Sequence, residues 1–227
     1  YLSDIYGITG ITLLEMFIDG EVITEQTILP KIHGKVKATA AELVEAMDGK
    51  LSFEDRFLLG QSLEHYRHSV NQVEEITVVI KQYVLERFER EYNLLIELPG
   101  VSAIVACVIL SEIGPNVEAF KSQGNLASWA GVCPGSYESA GIKKSSHTTQ
   151  GNKYLKSILF QAGGTAGRSK DEAFHNLYAR ISGRSSKMKA IIACAHKMIR
   201  VIYKILSTGE HYDAKKALGL RQQARAN

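Results

Sequence analysis

The segment from Gly131 to Lys156, GVCPGSYESAGIKKSSHTTQGNKYLK, brings a hydroxyl, a pliable backbone and several cations together. Ser139 is followed by Ala140 and Gly141, then by Lys143 and Lys144. A Gly151-Asn152 pair precedes Lys153 and Lys156, and Glu138 is the segment's single acid. A serine hydroxyl attacks a phosphodiester only when its proton is taken and cations neutralise the phosphate. Lys143, Lys144, Lys153 and Lys156 would supply that charge. Gly151 and Asn152 would supply donors at the start of the next helix. No general base is identified: Glu138 adjoins the serine, but neighbouring side chains diverge, and His147 is not singled out as a base. On these residues alone a loop serine is the commoner reading and a nucleophile the sharper one. A catalytic Cys133 is a weak alternative, because no His is clearly paired with it.

Charge points the same way. Residues 1–113 carry nine Lys and Arg against eighteen acids, whereas residues 139–204 carry thirteen against Asp171 and Glu172 alone. A stretch so basic suits a polyanionic partner. Cys107, Cys133 and Cys194 are odd in number and widely spaced, which predicts reduced thiols in a cytoplasmic protein. The apolar runs, such as Val101–Leu110, are too short to span a membrane, so no membrane partner is expected. No signal peptide is visible, and the chain opens Tyr-Leu-Ser-Asp without a Met, which predicts a fragment of a longer protein.

The elements that must position these groups read as helices, with no convincing alternating strand. Ile8–Asp19 has helical spacing and a stop at Gly20. A short helix follows between Glu21 and Ile32, and another over Ala38–Met47. Ser52 with Asp55 caps a long helix that meets no proline before Pro99. Leu59, Leu63, Tyr66, Val70, Val73, Ile76, Ile80 and Val84 recur along it at threes and fours, the seam of a coiled coil or helical arm that self-associates into a homodimer or higher oligomer. Ser102–Ile113 predicts an apolar helix. Residues 116–130 predict short helices with Trp129 buried, and Gly131–Ser146 a loop. Helices follow over Asn152–Arg168, Asp171–Ile181 and Ser186–Ser207, and the chain after Thr208 is expected to fray. The expected fold is all-α, with a helical segment at 1–50, a coiled-coil-like arm at 51–98, a helix-hairpin-helix at 99–130 and a basic helical subdomain at 131–227.

The hairpin expectation rests on Leu98-Pro99-Gly100-Val101-Ser102. A Pro-Gly turn presents backbone N–H groups and the positive end of a helix to a phosphate. Gly100 allows close approach, and Ser102 stands where a second glycine is usual and caps the helix.

The order of these motifs resembles the C-terminal part of the insertion-sequence-110 family of transposases, which includes Piv-type DNA invertases. The resemblance runs from the Ser3-Asp4-Ile5-x-Gly7-x-x-Gly10 entry through the long arm and the Leu-Pro-Gly hairpin. It continues over Leu126 to Pro134, Ser139-Ala-Gly, and Gly151-Asn152-x-x-Leu155-Lys156, to about Leu206. It implies a serine nucleophile at Ser139 that forms a phosphoserine link to DNA. It also implies an N-terminal RuvC-like domain, absent from these 227 residues, whose four acids hold Mg2+. DNA and a structured guide RNA are the implied partners. The nucleic-acid-binding set is Gly100, Ser102, Lys143, Lys144, Gly151, Asn152, Lys153, Lys156 and Arg168. Ala140 between serine and glycine, Thr149 where Lys is frequent and Lys156 where Arg is frequent depart from the family pattern. No metal ligand and no cofactor is expected in this chain, which alone is expected to bind nucleic acid without exchanging strands. A non-catalytic helix-hairpin-helix binding protein is the alternative, and a structural coiled-coil dimer a third.

Overall fold

The computed structural model describes residues 1–133, 137–139, 142–145 and 147–219, the segments 137–139 and 142–145 by their backbone. The chain divides into two compact units, Tyr1–Ile76 and Thr77–Asn227. The architecture is all-α apart from one small hairpin among the described residues, and the long helix α4 (Phe53–Ile96) contributes to both units.

In the first unit, α1 (Ile8–Asp19) ends at Gly20, whose left-handed backbone lets its amide reach back to the last carbonyls. Then come α2 (Glu25–Ile28), a short 3-10 turn at Leu29–Lys31, and α3 (Ala40–Ala46). Thr39 and Glu42 form a reciprocal capping box on α3, and Ser52 and Asp55 form another at the start of α4. Leu13, Met16, Ile28 and Leu43 make a small core from the three helices. On α4, Leu63 is buried, Tyr66 stacks on Tyr6 at 4.7 Å, and Arg67 pairs with Glu15.

The second unit holds the larger core. It contains the end of α4, α5 (Ala103–Ile113), α6 (Gln123–Trp129), β1 (Tyr137–Ser139), β2 (Ile142–Ser145), α7 (Lys153–Arg168), α8 (Glu172–Arg184), α9 (Lys187–Thr208) and α10 (Ala214–Gly219). Val84, Tyr92 and Leu95 of α4 are buried, and Phe88 between them leaves helical geometry at φ −138°, ψ 35°. No proline or glycine stands beside Phe88 to explain that kink. Between the buried Leu63 and Val84, α4 leaves Val73 64% and Ile76 58% exposed.

α7 is central to this unit. Leu155, Leu159, Ala162 and Ala166 are buried, and the small residues let neighbours reach its backbone. A Cβ on Gly163 would lie 2.7 Å from the Ala195 amide of α9, and one on Gly167 would lie 2.6 Å from the Tyr178 ring of α8. Cys194 is buried at the same contact, where loss of solvent pushes its thiol up to about 11.

Three expectations are corrected. The segment read as a loop contains an antiparallel hairpin, whose strands of three and four residues are too short to display alternation. Trp129 is 39% exposed, tilted against Phe120, while its neighbours Leu126, Ala127 and Ala130 take the buried positions of that stretch. The chain after Thr208 is docked as far as Gly219. The Tyr212 hydroxyl donates to Asp171 at 2.9 Å, Glu97 pairs with His211 at 2.7 Å, and Ala217 is buried. The His211 bond, more than the Tyr212 amide, holds the Glu97 carboxyl below its usual range.

Gly100 has φ +85°, and a Cβ there would collide with the Ala162 carbonyl and the Ala166 amide of α7. Gly183 lies in α8 with open space around it. Gly100→Ala is therefore expected to destabilise the chain by well over about 1 kcal/mol, and Gly183→Ala to stabilise it by about 0.4–1 kcal/mol. Urea unfolding of both variants checks the opposite signs, and a silent Gly100→Ala would refute the close approach.

Candidate nucleic-acid and cleavage site

α5 and α7 run antiparallel, and this frames the site. At one end the Pro99-Gly100 turn meets Ala162 and Ala166. At the other, Asn152 Nδ2 donates to Glu112 near the end of α5. The Leu98–Val101 turn is closed by the Val101 amide on the Leu98 carbonyl at 3.0 Å, with Pro and Gly in the positions a type II turn prefers. Ser102 is exposed and caps α5 through the Val105 amide.

The base of the hairpin is pinned by backbone. Gly131 and Gly151 cross so closely that a Cβ on Gly151 would lie 2.5 Å from the Gly131 amide. The Thr149 amide donates to Cys133 O at 3.2 Å, and the Asn152 amide to Trp129 O at 3.0 Å. Asn152 Oδ1 then accepts from the Tyr154 and Leu155 amides at 3.0 and 2.9 Å, starting α7. Lys156 Nζ reaches back to the Thr149 carbonyl at 2.8 Å. From this base β1 and β2 pair in antiparallel register, with Ser139 opposite Ile142 and Glu138 opposite Lys143.

The structure thus sorts the expected site residues into two groups. Ser139, Lys143 and Lys144 share the hairpin, with Gly151, Asn152, Lys153 and Lys156 at its base. Gly100 and Ser102 lie towards the far end of α7, whose sixteen residues span about 24 Å and end at the exposed Arg168. Residues 134–136, 140–141 and 146, which include Gly141 of the Ser-Ala-Gly motif, lie outside the described residues. Gly100, Gly151 and Asn152 have packing or capping roles, and Lys153 is exposed. Cys133 is half-buried, and desolvation raises its thiol, which disfavours the thiolate. Among the described residues no group of three or more His, Cys, Asp or Glu could hold a metal, and no helix is long and apolar enough to cross a membrane.

Sequence reasoning missed Gly131 and Glu112, the partners of Gly151 and Asn152. Each pairing joins distant segments, and a single sequence carries no signal for it. Asn152→Ala removes the cap of two amides and leaves Glu112 without that donor. A loss of about 1–2 kcal/mol in unfolding free energy is expected, with faster hydrogen exchange at Tyr154 and Leu155. Unchanged protection at both amides would contradict the capping role.

The model of the Transposase IS116/IS110/IS902 family matches residues 92–179. A protein of Sinorhizobium fredii named as a transposase, y4pF/y4sB, is 31% identical over 157 residues, covering 66% of this chain and 39% of the relative. The pilin gene-inverting proteins of Moraxella lacunata and Moraxella bovis are each 27% identical over 158 residues. These matches cover 67% and 68% of this chain and 48% of each relative. The chain therefore spans half or less of the length of these relatives. The matched domain runs from the end of α4 into α8 and includes the Pro-Gly turn, the hairpin and all of α7. Residues 92–179 therefore match the transposase domain of the IS116/IS110/IS902 family, and these matches support the resemblance carried by the order of motifs.

Proposed function

We propose that this chain is the part of a DNA transposase or site-specific recombinase that binds DNA and supplies Ser139 as the nucleophile for strand cleavage. The observation that carries the reading is the hairpin itself. Ser139, Lys143 and Lys144 lie on two paired strands inside the matched transposase domain. In the proposed step Ser139 Oγ attacks a DNA phosphorus and passes its proton to solvent, and the departing strand oxygen takes up a proton from solvent. An Oγ–P bond forms as the bond to one strand's oxygen breaks, leaving a phosphoserine ester and a free DNA end. Attack by another strand's hydroxyl reverses the step and completes exchange. The lysines offset the charge gathering on the phosphate. The described residues do not fit magnesium, so no step is assigned to it in this chain.

Three features support the surroundings of this site. The pinned hairpin base fixes where the strands emerge. The residues from 139 to 204 are strongly basic, suiting DNA and, on the family reading, a guide RNA. The exposed Val70, Val73, Ile76 and Ile80 suit self-association of α4 as a coiled coil. The alternative, a non-catalytic helix-hairpin-helix module, is favoured by the Pro-Gly turn and the Ser102 cap leading into α5.

In the full-length protein incubated with its element DNA, Ser139→Ala is expected to reduce the covalent protein–DNA adduct to background. An adduct that survives the substitution rules out Ser139. Absence of an adduct in the unsubstituted protein, with DNA binding retained, favours the binding module.

Replacing Lys143 and Lys144 together by Ala is expected to weaken duplex binding. It should also flatten the salt dependence by about 0.9 for each phosphate no longer neutralised. Titrations across a salt series check this, and an unchanged slope would remove these lysines from the DNA interface.

A further inference from the structure

A second basic feature shares no lining residue with the hairpin and lies between α8 and α9, with α10 beside them. It is a cleft of about 390 Å³, near the lower end of the range for small-ligand sites. Asn176, Arg180 and Arg184 of α8 face it, with His196, Lys197 and Arg200 of α9. Leu177, Ile181 and alanines provide apolar lining, and no acid among the described residues lines it.

These cations are set in place without being neutralised by any acid among the described residues. Lys197 Nζ donates to the Ala173 carbonyl at 2.8 Å, and Arg200 Nε donates to Gln123 Oε1 of α6 at 3.2 Å. Both bonds are to neutral acceptors and leave other N–H groups unspent. Asp171 is the acid that acts on Lys197, and its carboxylate already accepts from the Phe174 amide and the Tyr212 hydroxyl. Among the described residues none of Arg180, Arg184, His196, Lys197 or Arg200 forms an ion pair. Arg180 Nε is buried with no hydrogen-bond partner among the described residues. Burial, and then Arg200, lowers the His196 imidazole, and burial lowers the Lys197 ammonium. Such a cluster disfavours the folded chain unless an anion completes it.

We infer that this cleft binds an unpaired nucleotide of a single-stranded nucleic acid, its phosphate on Arg180, Arg184 and Lys197 and its base over the apolar lining. The cleft's size suits one nucleotide rather than a duplex. The inference rests on the reading of this chain as a nucleic-acid enzyme, and it adds a site that neither the hairpin nor the Pro-Gly turn contains. DNA and RNA share the phosphodiester, so the strand's sugar is left to the test.

The test uses the whole chain with labelled oligo(dT), oligo(U) and a DNA duplex, titrated across a salt series. Arg184 is exposed, so Arg184→Gln leaves the fold intact and is expected to weaken single-strand binding severalfold. Adding Arg180→Gln is expected to bring the loss to about tenfold and to lower the salt slope by about 0.7 for each phosphate no longer neutralised. Duplex binding that depends on Lys143 and Lys144 should be unchanged. A loss confined to oligo(U) assigns the cleft to RNA, and an equal loss on both strands assigns it to the shared backbone. Unchanged binding of both oligonucleotides by the double variant, or an equal loss on the duplex, overturns the inference. If the unsubstituted chain binds no nucleic acid, the proposed function falls with it. If only the Ser139 adduct fails to form, the cleft stands and the nucleophile does not.

Discussion

The second unit depends on how closely other backbones can approach α7. Gly100 touches it at Ala162 and Ala166, and Gly163 lets α9 in at Ala195. The α4–α5 turn and α9 are therefore registered against one helix by main chain, not by adaptable side chains. Close packing of this kind has few alternative solutions, because each added methyl meets a fixed atom. Asn152 starts α7, and the same residue is tied to Glu112, so the register at one end is coupled to that at the other.

This changes the meaning of Gly151-Asn152. Read as sequence, the pair offers amide donors to a phosphate. In the fold, Gly151 is where the chain crosses Gly131, and Asn152 occupies two of the first amides of α7. The cations divide likewise. Lys156 already spends a hydrogen on Thr149, whereas Lys153 is exposed. Charge count alone does not separate a lysine that builds a site from one available to a ligand.

Much of the fold was legible because it follows local rules. The ends of α1, α5 and α7 were readable from Gly20, Ser102 and Asn152, each acting within a few residues of its own position. The hairpin was not, since strands this short show no period. Docking of residues 209–219 was also hidden. Tyr212 and His211 find Asp171 and Glu97 far away in the chain, in a segment too polar to display an amphipathic stripe. The buried α4 positions were foreseen as one continuous seam. The structure covers Leu63 and Val84 and leaves Val73 and Ile76 exposed, a difference set by which neighbours each end of the helix has. Of the candidate site, composition and spacing indicated a basic segment with a serine, and only the ordered resemblance singled out Ser139. The crossing at Gly131 and the burial of Arg180 Nε depend on tertiary contacts.

The pinned base of the hairpin has an evolutionary consequence. Cys133 and Thr149 are joined by one backbone hydrogen bond, and Gly131 and Gly151 cross just below it. Whatever the chain does between those anchors, α6 and α7 receive the same two ends. The entropic cost of closing a longer or shorter connection changes only slowly with its length. The segment between those anchors can therefore change in length and sequence as a cassette while the helices holding it remain as they are.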